Sequence, residues 1–167
     1  MRLTNKIAMV VGAGQTPGPT MGNGRATALL FAREGAQVLA VDRDIDSAQE
    51  TVELIHQEGG KADAVAADVI DENSLEAAVN HCNNHFGRLD ILHNNVGISV
   101  TGGDAPITEI SSEAFDRIIA VNLRGIVLTC KHALPVMRAQ GSGVIITISS
   151  IAAIENYPWV TLSLIHI

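Results

Sequence analysis

The sequence predicts an α/β fold organised around a doubly wound parallel sheet, and three observations carry that expectation. Apolar runs of strand length alternate with longer stretches of helical period along the chain, which is the rhythm of βαβ units. The composition is 47% hydrophobic but only 3% aromatic and 17% charged, so the core has to be made of Ala, Val, Ile and Leu, the residues that fill the layers on either side of a parallel sheet. A glycine-rich segment, Gly12-Ala13-Gly14 and then Gly22-Asn23-Gly24, follows the first apolar run, at the strand-to-helix turn where such folds bring backbone close to a phosphate. With 167 residues there is enough chain for one domain, and no internal repeat, charge block or low-complexity linker divides it.

Taken in order, Ile7 to Val11 is the first strand. The glycine-rich turn leads into a helix near Arg25 to Glu34, and Gly35 permits the left-handed conformation that ends it. Gln37 to Val41 is the second strand. Asp44 can accept hydrogen bonds from free N-terminal amides and so opens a helix over Ser47 to Glu58, which Gly59 closes. Ala62 to Ala66 follows as the third strand, Ser74 to Phe86 as a helix ended by Gly87, and Ile91 to His93 as the fourth strand. Ser111 caps a long helix, Glu113 to Arg138, whose late Pro135 should bend it by removing an amide donor and crowding the preceding turn. Val144 to Ile148 is the fifth strand. Right-handed crossovers then give the strand order 3-2-1-4-5, with a ligand crevice at the C-terminal ends of strands 1 and 4.

Charge and composition narrow the partners. A formal net charge of −7 provides no cluster of Lys and Arg for nucleic acid or an anionic membrane. The N-terminus lacks the apolar core of a secretory signal, and Lys131 and His132 interrupt the apolar stretch Gly125 to Met137 short of a membrane span, so a cytoplasmic protein is expected. Cys82 and Cys130 lack metal-type spacing and read as reduced thiols. His81 and His85 share a helical face, but without a carboxylate or Cys partner they read as a solvated pair, and no metal site is expected.

The first strand with its glycines, and further segments in the same order, resemble the short-chain dehydrogenase/reductase family along almost the whole chain. Gly12, Gly22, Asn23 and Gly24 match the family's spaced glycines, although Gln15 to Met21 makes this loop longer than the usual turn. Asp42 stands at the end of strand 2, where a carboxylate can accept hydrogen bonds from the adenosine ribose hydroxyls and repel a 2′-phosphate. NAD is therefore expected over NADP, with the neighbouring Arg43 able to soften the choice. Asp68-Val69 resembles the pair that contacts adenine, and Asn94-Asn95-Val96-Gly97 resembles the family's Asn-Asn-Ala-Gly motif, in which the resemblance assigns Asn94 to the cofactor site and Gly97 passes close to the nicotinamide ribose. The resemblance implies a Rossmann-type sheet, an NAD(P)-dependent oxidoreductase interconverting a small-molecule alcohol and ketone, and a full-length homodimer or homotetramer.

In this family a Tyr exchanges the proton, a Lys favours its phenolate, a Ser holds the substrate oxygen and a helix Asn supports a water relay. The resemblance assigns Ser150 as that serine, with Ser149 as runner-up, and Asn122 as the relay residue. The Tyr and Lys would fall at Leu162 or Ser163 and at His166 or Ile167, where neither occurs. Tyr157 precedes Pro158, which favours an extended conformation, so it reads as a loop or substrate-pocket residue.

Leu162 to Ile167 instead looks like a translation of CTG TCT CTT ATA CAC ATC, the end of a sequencing-library adapter. Residues 1–161 are accordingly expected to be an incomplete NAD(P)-binding domain, cut before the family's strands 6 and 7, and 162–167 an artefactual tail. The alternatives are a non-catalytic nucleotide-binding module and an inert fragment. Without later strands, Val144 to Ile148 would be an uncharged, proline-free edge, and a poorly soluble or partly molten chain is expected. The 167-residue chain should also show no turnover of alcohols with NAD, because an essential acid/base contributes about 10² to 10⁴ in rate. Turnover abolished by Tyr157→Phe is the outcome that would contradict this.

Overall fold

The computed structural model describes residues 1–151, Val160 and Thr161. Tyr157 and the adapter-like residues 162–167 lie outside the described residues. Five strands form one parallel sheet: β1 (Ile7–Val11), β2 (Gln37–Asp42), β3 (Lys61–Ala66), β4 (Ile91–Asn94) and β5 (Val144–Thr147), in the order β3-β2-β1-β4-β5. The helices are α1 (Asn23–Arg33), α2 (Ile45–Gln57), α3 (Glu72–Phe86), α4 (Ser112–Ile119) and α5 (Gly125–Ala139). The expected topology is present, and β1 lies between β2 and β4, so the chain's winding reverses at the C-terminal ends of β1 and β4.

Both faces of the central strands β2, β1 and β4 are buried, which is why they read as continuous apolar runs. Ile7, Met9 and Val11 pack on one side with Leu75, Val79, Leu128 and Met137 of α3 and α5. Ala8 and Val10 pack on the other with Ala28, Leu29, Val52 and Ile55 of α1 and α2. By composition the helical stretch Ser112–Ala139 is long and apolar enough to cross a membrane, with a mean hydropathy of 1.2, but in this fold its Leu128, Ala133 and Met137 fill the core. Burial pushes the Cys82 thiol up to about 12 and also raises that of Cys130, and both cysteines are free.

The caps explain most boundary differences. Asp44 accepts from the Ser47 amide as expected, yet α2 already begins at Ile45, directly after its cap. Asp71, overlooked in the sequence, caps α3 by accepting from Asn73, which starts that helix at Glu72 instead of Ser74. The single long helix expected over Glu113 to Arg138 is corrected to α4, a π-helical turn over Ala120–Arg124, and α5. Its Ser111 cap is present, accepting from Ala114. The pair His81 and His85 is corrected as well: the rings stack, and His81 Nε2 lies 2.9 Å from Asp63 Oδ2, so a carboxylate partner exists. No group of three His, Cys, Asp or Glu side chains able to hold a metal occurs among the described residues.

The edge strand β5 leaves Val144 and Ile146 exposed on the face that carries Ile91 and His93 of β4. His93 is buried against the edge of Phe31, and neither ring nitrogen finds a hydrogen-bond partner among the described residues. Burial therefore holds its pKa below the ordinary histidine value of 6.5. Between the two values the unfolded chain binds more protons than the folded one, so stability contributed by neutral His93 is complete above 6.5 and is lost as pH falls through that window. The urea midpoint should drop between about pH 7.5 and about pH 5.5, and His93→Leu should flatten that drop. An unchanged slope in the variant would exclude His93 as its source.

Candidate cofactor site

The crevice at the winding reversal has a cavity volume of about 840 Å³ and is lined by the glycine loop, the ends of β2 and β3, the segment after β4 and the end of β5. At its base the glycines are demanded by the chain itself. Gly12 adopts φ +84°, and a Cβ on Gly24 would overlap the Gly12 carbonyl oxygen, so α1 can begin directly against the end of β1 only if both are glycine. The first-turn amides of α1 have no intrahelical partners and line the crevice at Gly22 to Gly24. Gly22, the N-cap, supplies no side-chain cap.

Behind the loop a polar network joins it to α2. Asp42 Oδ2 accepts from the Gly14 amide at 2.9 Å, and its Oδ1 accepts from Asp44 at 3.1 Å. Ser47 Oγ accepts from the Gln15 amide at 2.7 Å. Thr51 Oγ1 donates to Ala13 O at 2.7 Å and accepts from the Arg25 guanidinium, which also reaches Ser47 O and Glu50. Arg25 is only 8% exposed, so these contacts satisfy a charge that would otherwise be costly to bury.

The opposite wall follows β4. Asn94 was expected to contact the cofactor, but it ends a strand whose side chains alternate. Its amide turns into the core, 3.8 Å from Cys130 Sγ. The next residue, Asn95, lines the crevice instead and donates to Gly12 O at 3.1 Å. Asn122, in the π-helical turn, grips the main chain of Ile98 from both ends of its amide: Oδ1 accepts from Ile98 N at 2.8 Å and Nδ2 donates to Ile98 O at 2.7 Å. Gly97 lies in the segment held by this clamp, and among the described residues a Cβ there would meet only Asn122 Oδ1 at 3.8 Å. Packing among the described residues does not require that glycine.

Of the sequence-derived residues, Gly12, Gly22, Asn23, Gly24, Asp42, Arg43, Asp68, Val69, Gly97, Asn122 and Ser150 all line this crevice, as does the runner-up Ser149. Asn94 alone does not. Sequence reasoning missed Gly14, whose Cβ would press on Asp42, together with Gln15, Ser47 and Asn95. Period-two alternation from Ile91 could have found Asn95. Ser47 and Gln15 are adjacent only in space and left no signal.

The residues present fit a dinucleotide: two mutually required glycines, a helix N-terminus and a carboxylate at the end of β2 converge on one open crevice. The family profile described as short chain dehydrogenase matches residues 6–162. The chain belongs to the short-chain dehydrogenase family. This family uses NAD(P), and its members among the relatives act as oxidoreductases on small-molecule alcohols and ketones. An uncharacterized oxidoreductase of Bacillus subtilis is 42% identical over 148 residues, covering 89% of this chain and 51% of its own. The 2-(R)-hydroxypropyl-CoM dehydrogenase of Xanthobacter autotrophicus is 37% identical over 155 residues, covering 92% and 60%.

Among solved structures, one assigned to the short-chain dehydrogenase/reductases from Burkholderia xenovorans superposes with a TM-score of 0.90 at 40% identity, over 97% of this chain and 62% of that one. A 7α-hydroxysteroid dehydrogenase complexed with NADH and 7-oxo glycochenodeoxycholic acid gives 0.84 at 34% identity, over 94% and 58%. The chain thus spans between about half and three fifths of the length of the relatives it matches.

In this member of the short-chain dehydrogenase family the Asn122 clamp is the contact that fixes the second wall. Asn122→Ala should cost about 1–3 kcal/mol in urea denaturation, since both part-buried main-chain groups of Ile98 lose their partner. A loss indistinguishable from that of an exposed alanine substitution would remove the clamp from this role.

Proposed function

We propose that this chain is the nucleotide-binding portion of an NAD-linked oxidoreductase that interconverts an alcohol and a ketone on a small molecule. Asp42 carries the reading. Its carboxylate stands in the crevice at the end of β2, beside the glycine turn, where it can accept from ribose hydroxyls and repel a 2′-phosphate. Bound there, the nicotinamide cofactor supplies hydride exchange with the substrate carbon. Gly12, Gly22 and Gly24 with the first turn of α1 receive the pyrophosphate, and Asp68 and Val69 flank the adenine. Gly97, under no steric demand from the described residues, admits the nicotinamide ribose at close range.

Ser150, at the crevice rim after β5, holds the substrate oxygen. Asn122 orients the wall beside it and supports proton exchange with solvent through the family's relay. The proposed full-length protein is cytoplasmic and assembles as a homodimer or homotetramer.

Cofactor choice tests this directly. NADH should bind the 167-residue chain at least about tenfold tighter than NADPH, measured by titration of nicotinamide fluorescence. Asp42→Ser should narrow that ratio and also weaken NADH, because the Gly14 amide loses its acceptor. Equal binding of NADH and NADPH by the unaltered chain would count against Asp42 as the selector.

A further inference from the structure

The glycine loop of this chain makes an excursion, Thr16 to Met21, between Gly14 and the start of α1, and one side chain closes it. Gln15 Nε2 donates to Thr16 O at 2.6 Å and to Thr20 O at 2.9 Å, while Oε1 accepts from the Gly22 amide at 2.8 Å. The Gln15 main-chain amide is itself held by Ser47 Oγ at 2.7 Å. Each polar group of this amide side chain is therefore engaged, and together they tie both ends of the excursion to α2 and to the N-cap of α1. Gln15 Oε1 thus satisfies the amide of the N-cap residue Gly22 itself, which holds the entry to α1 in place. Thr16 and Pro17 are held on the crevice side, and Gly18 at the tip stands in open space.

We propose that Gln15 is a positioning residue for the pyrophosphate, bracing the excursion and the first turn of α1 in the shape that receives it. The inference rests on the reading of the crevice as a dinucleotide site. An unbraced excursion would sample many conformations, and each binding event would have to freeze it again. With the brace, that ordering is complete before the ligand arrives. A carboxylate in place of the amide would keep one acceptor but lose both donors, and would bring negative charge towards a phosphate.

The test compares the 167-residue chain with Gln15→Met, which keeps the length without the polar atoms, and Gln15→Glu. ADP and adenosine are titrated against each protein by NMR, NADH against the unaltered chain, and amide exchange of Gly22 is followed without ligand. ADP affinity should fall about tenfold in Gln15→Met and further in Gln15→Glu, while adenosine, which has no phosphate, binds all three alike. Gly22 should exchange faster in both variants. Unchanged ADP binding, an equal loss for ADP and adenosine, or undiminished Gly22 protection would each overturn the role of Gln15 while leaving the dinucleotide site standing. Failure of the unaltered chain to bind NADH or ADP would remove the site itself, and this inference with it.

Discussion

The approach of α1 to the end of β1 depends on one contact between two residues that have no side chains. Gly24 sits where a Cβ would overlap the Gly12 carbonyl oxygen, and Gly12 turns at φ +84°. Any larger residue at either point would push α1 away from the sheet. The helix N-terminus would then no longer face the crevice, and Asn95, which donates to that same carbonyl, would lose its acceptor. The position of the glycine turn, the seating of α1 on Ala8 and Val10, and the link to β4 all follow from this contact.

A backbone turn this tight exposes amides and carbonyls to a partly dry environment, and the chain answers with side chains from the end of β2 and from α2. Asp42, Ser47 and Thr51 satisfy Gly14, Gln15 and Ala13 in turn, and Arg25 ties Ser47 and Thr51 together from α1. Asp42 thus has two tasks. It is the carboxylate proposed to select the cofactor, and it is a structural acceptor for the loop. On that proposal a binding preference and a loop conformation share one side chain.

The second wall is built by a local irregularity in a helix. In a regular helix the residues over Ala120–Arg124 would continue the pattern of α4 and α5; the π-helical turn breaks that pattern at Asn122, whose amide reads both main-chain groups of Ile98. Among the described residues the segment after β4 has no ladder partners of its own beyond Asn95 N to Val11 O, so this clamp replaces what a strand would have had from a neighbour. Further along the same segment, Thr161 bonds Asp104 and Ala105, adding another tie where regular pairing has ended.

Several features were determined by the sequence alone because they follow from local chemistry and simple periods. The apolar runs Ile7–Val11 and Gln37–Asp42 alternate with helices that end where Gly35, Gly59 and Gly87 allow positive φ, and this was enough to give the parallel sheet and its order. The spaced glycines and Asp42 announced the crevice for the same reason: each is demanded by its immediate surroundings. Tertiary structure alone decided which of the paired asparagines faces the crevice, since one step of strand alternation sends Asn94 to Cys130 and Asn95 to Gly12. It also decided that α4 and α5 are joined through a π turn, that Ser47 meets Gln15, and that Gln15 closes its own loop. Those contacts join residues whose proximity exists only after the sheet has wound, and a linear pattern carries no term for a hydrogen bond between elements that have not yet been brought together.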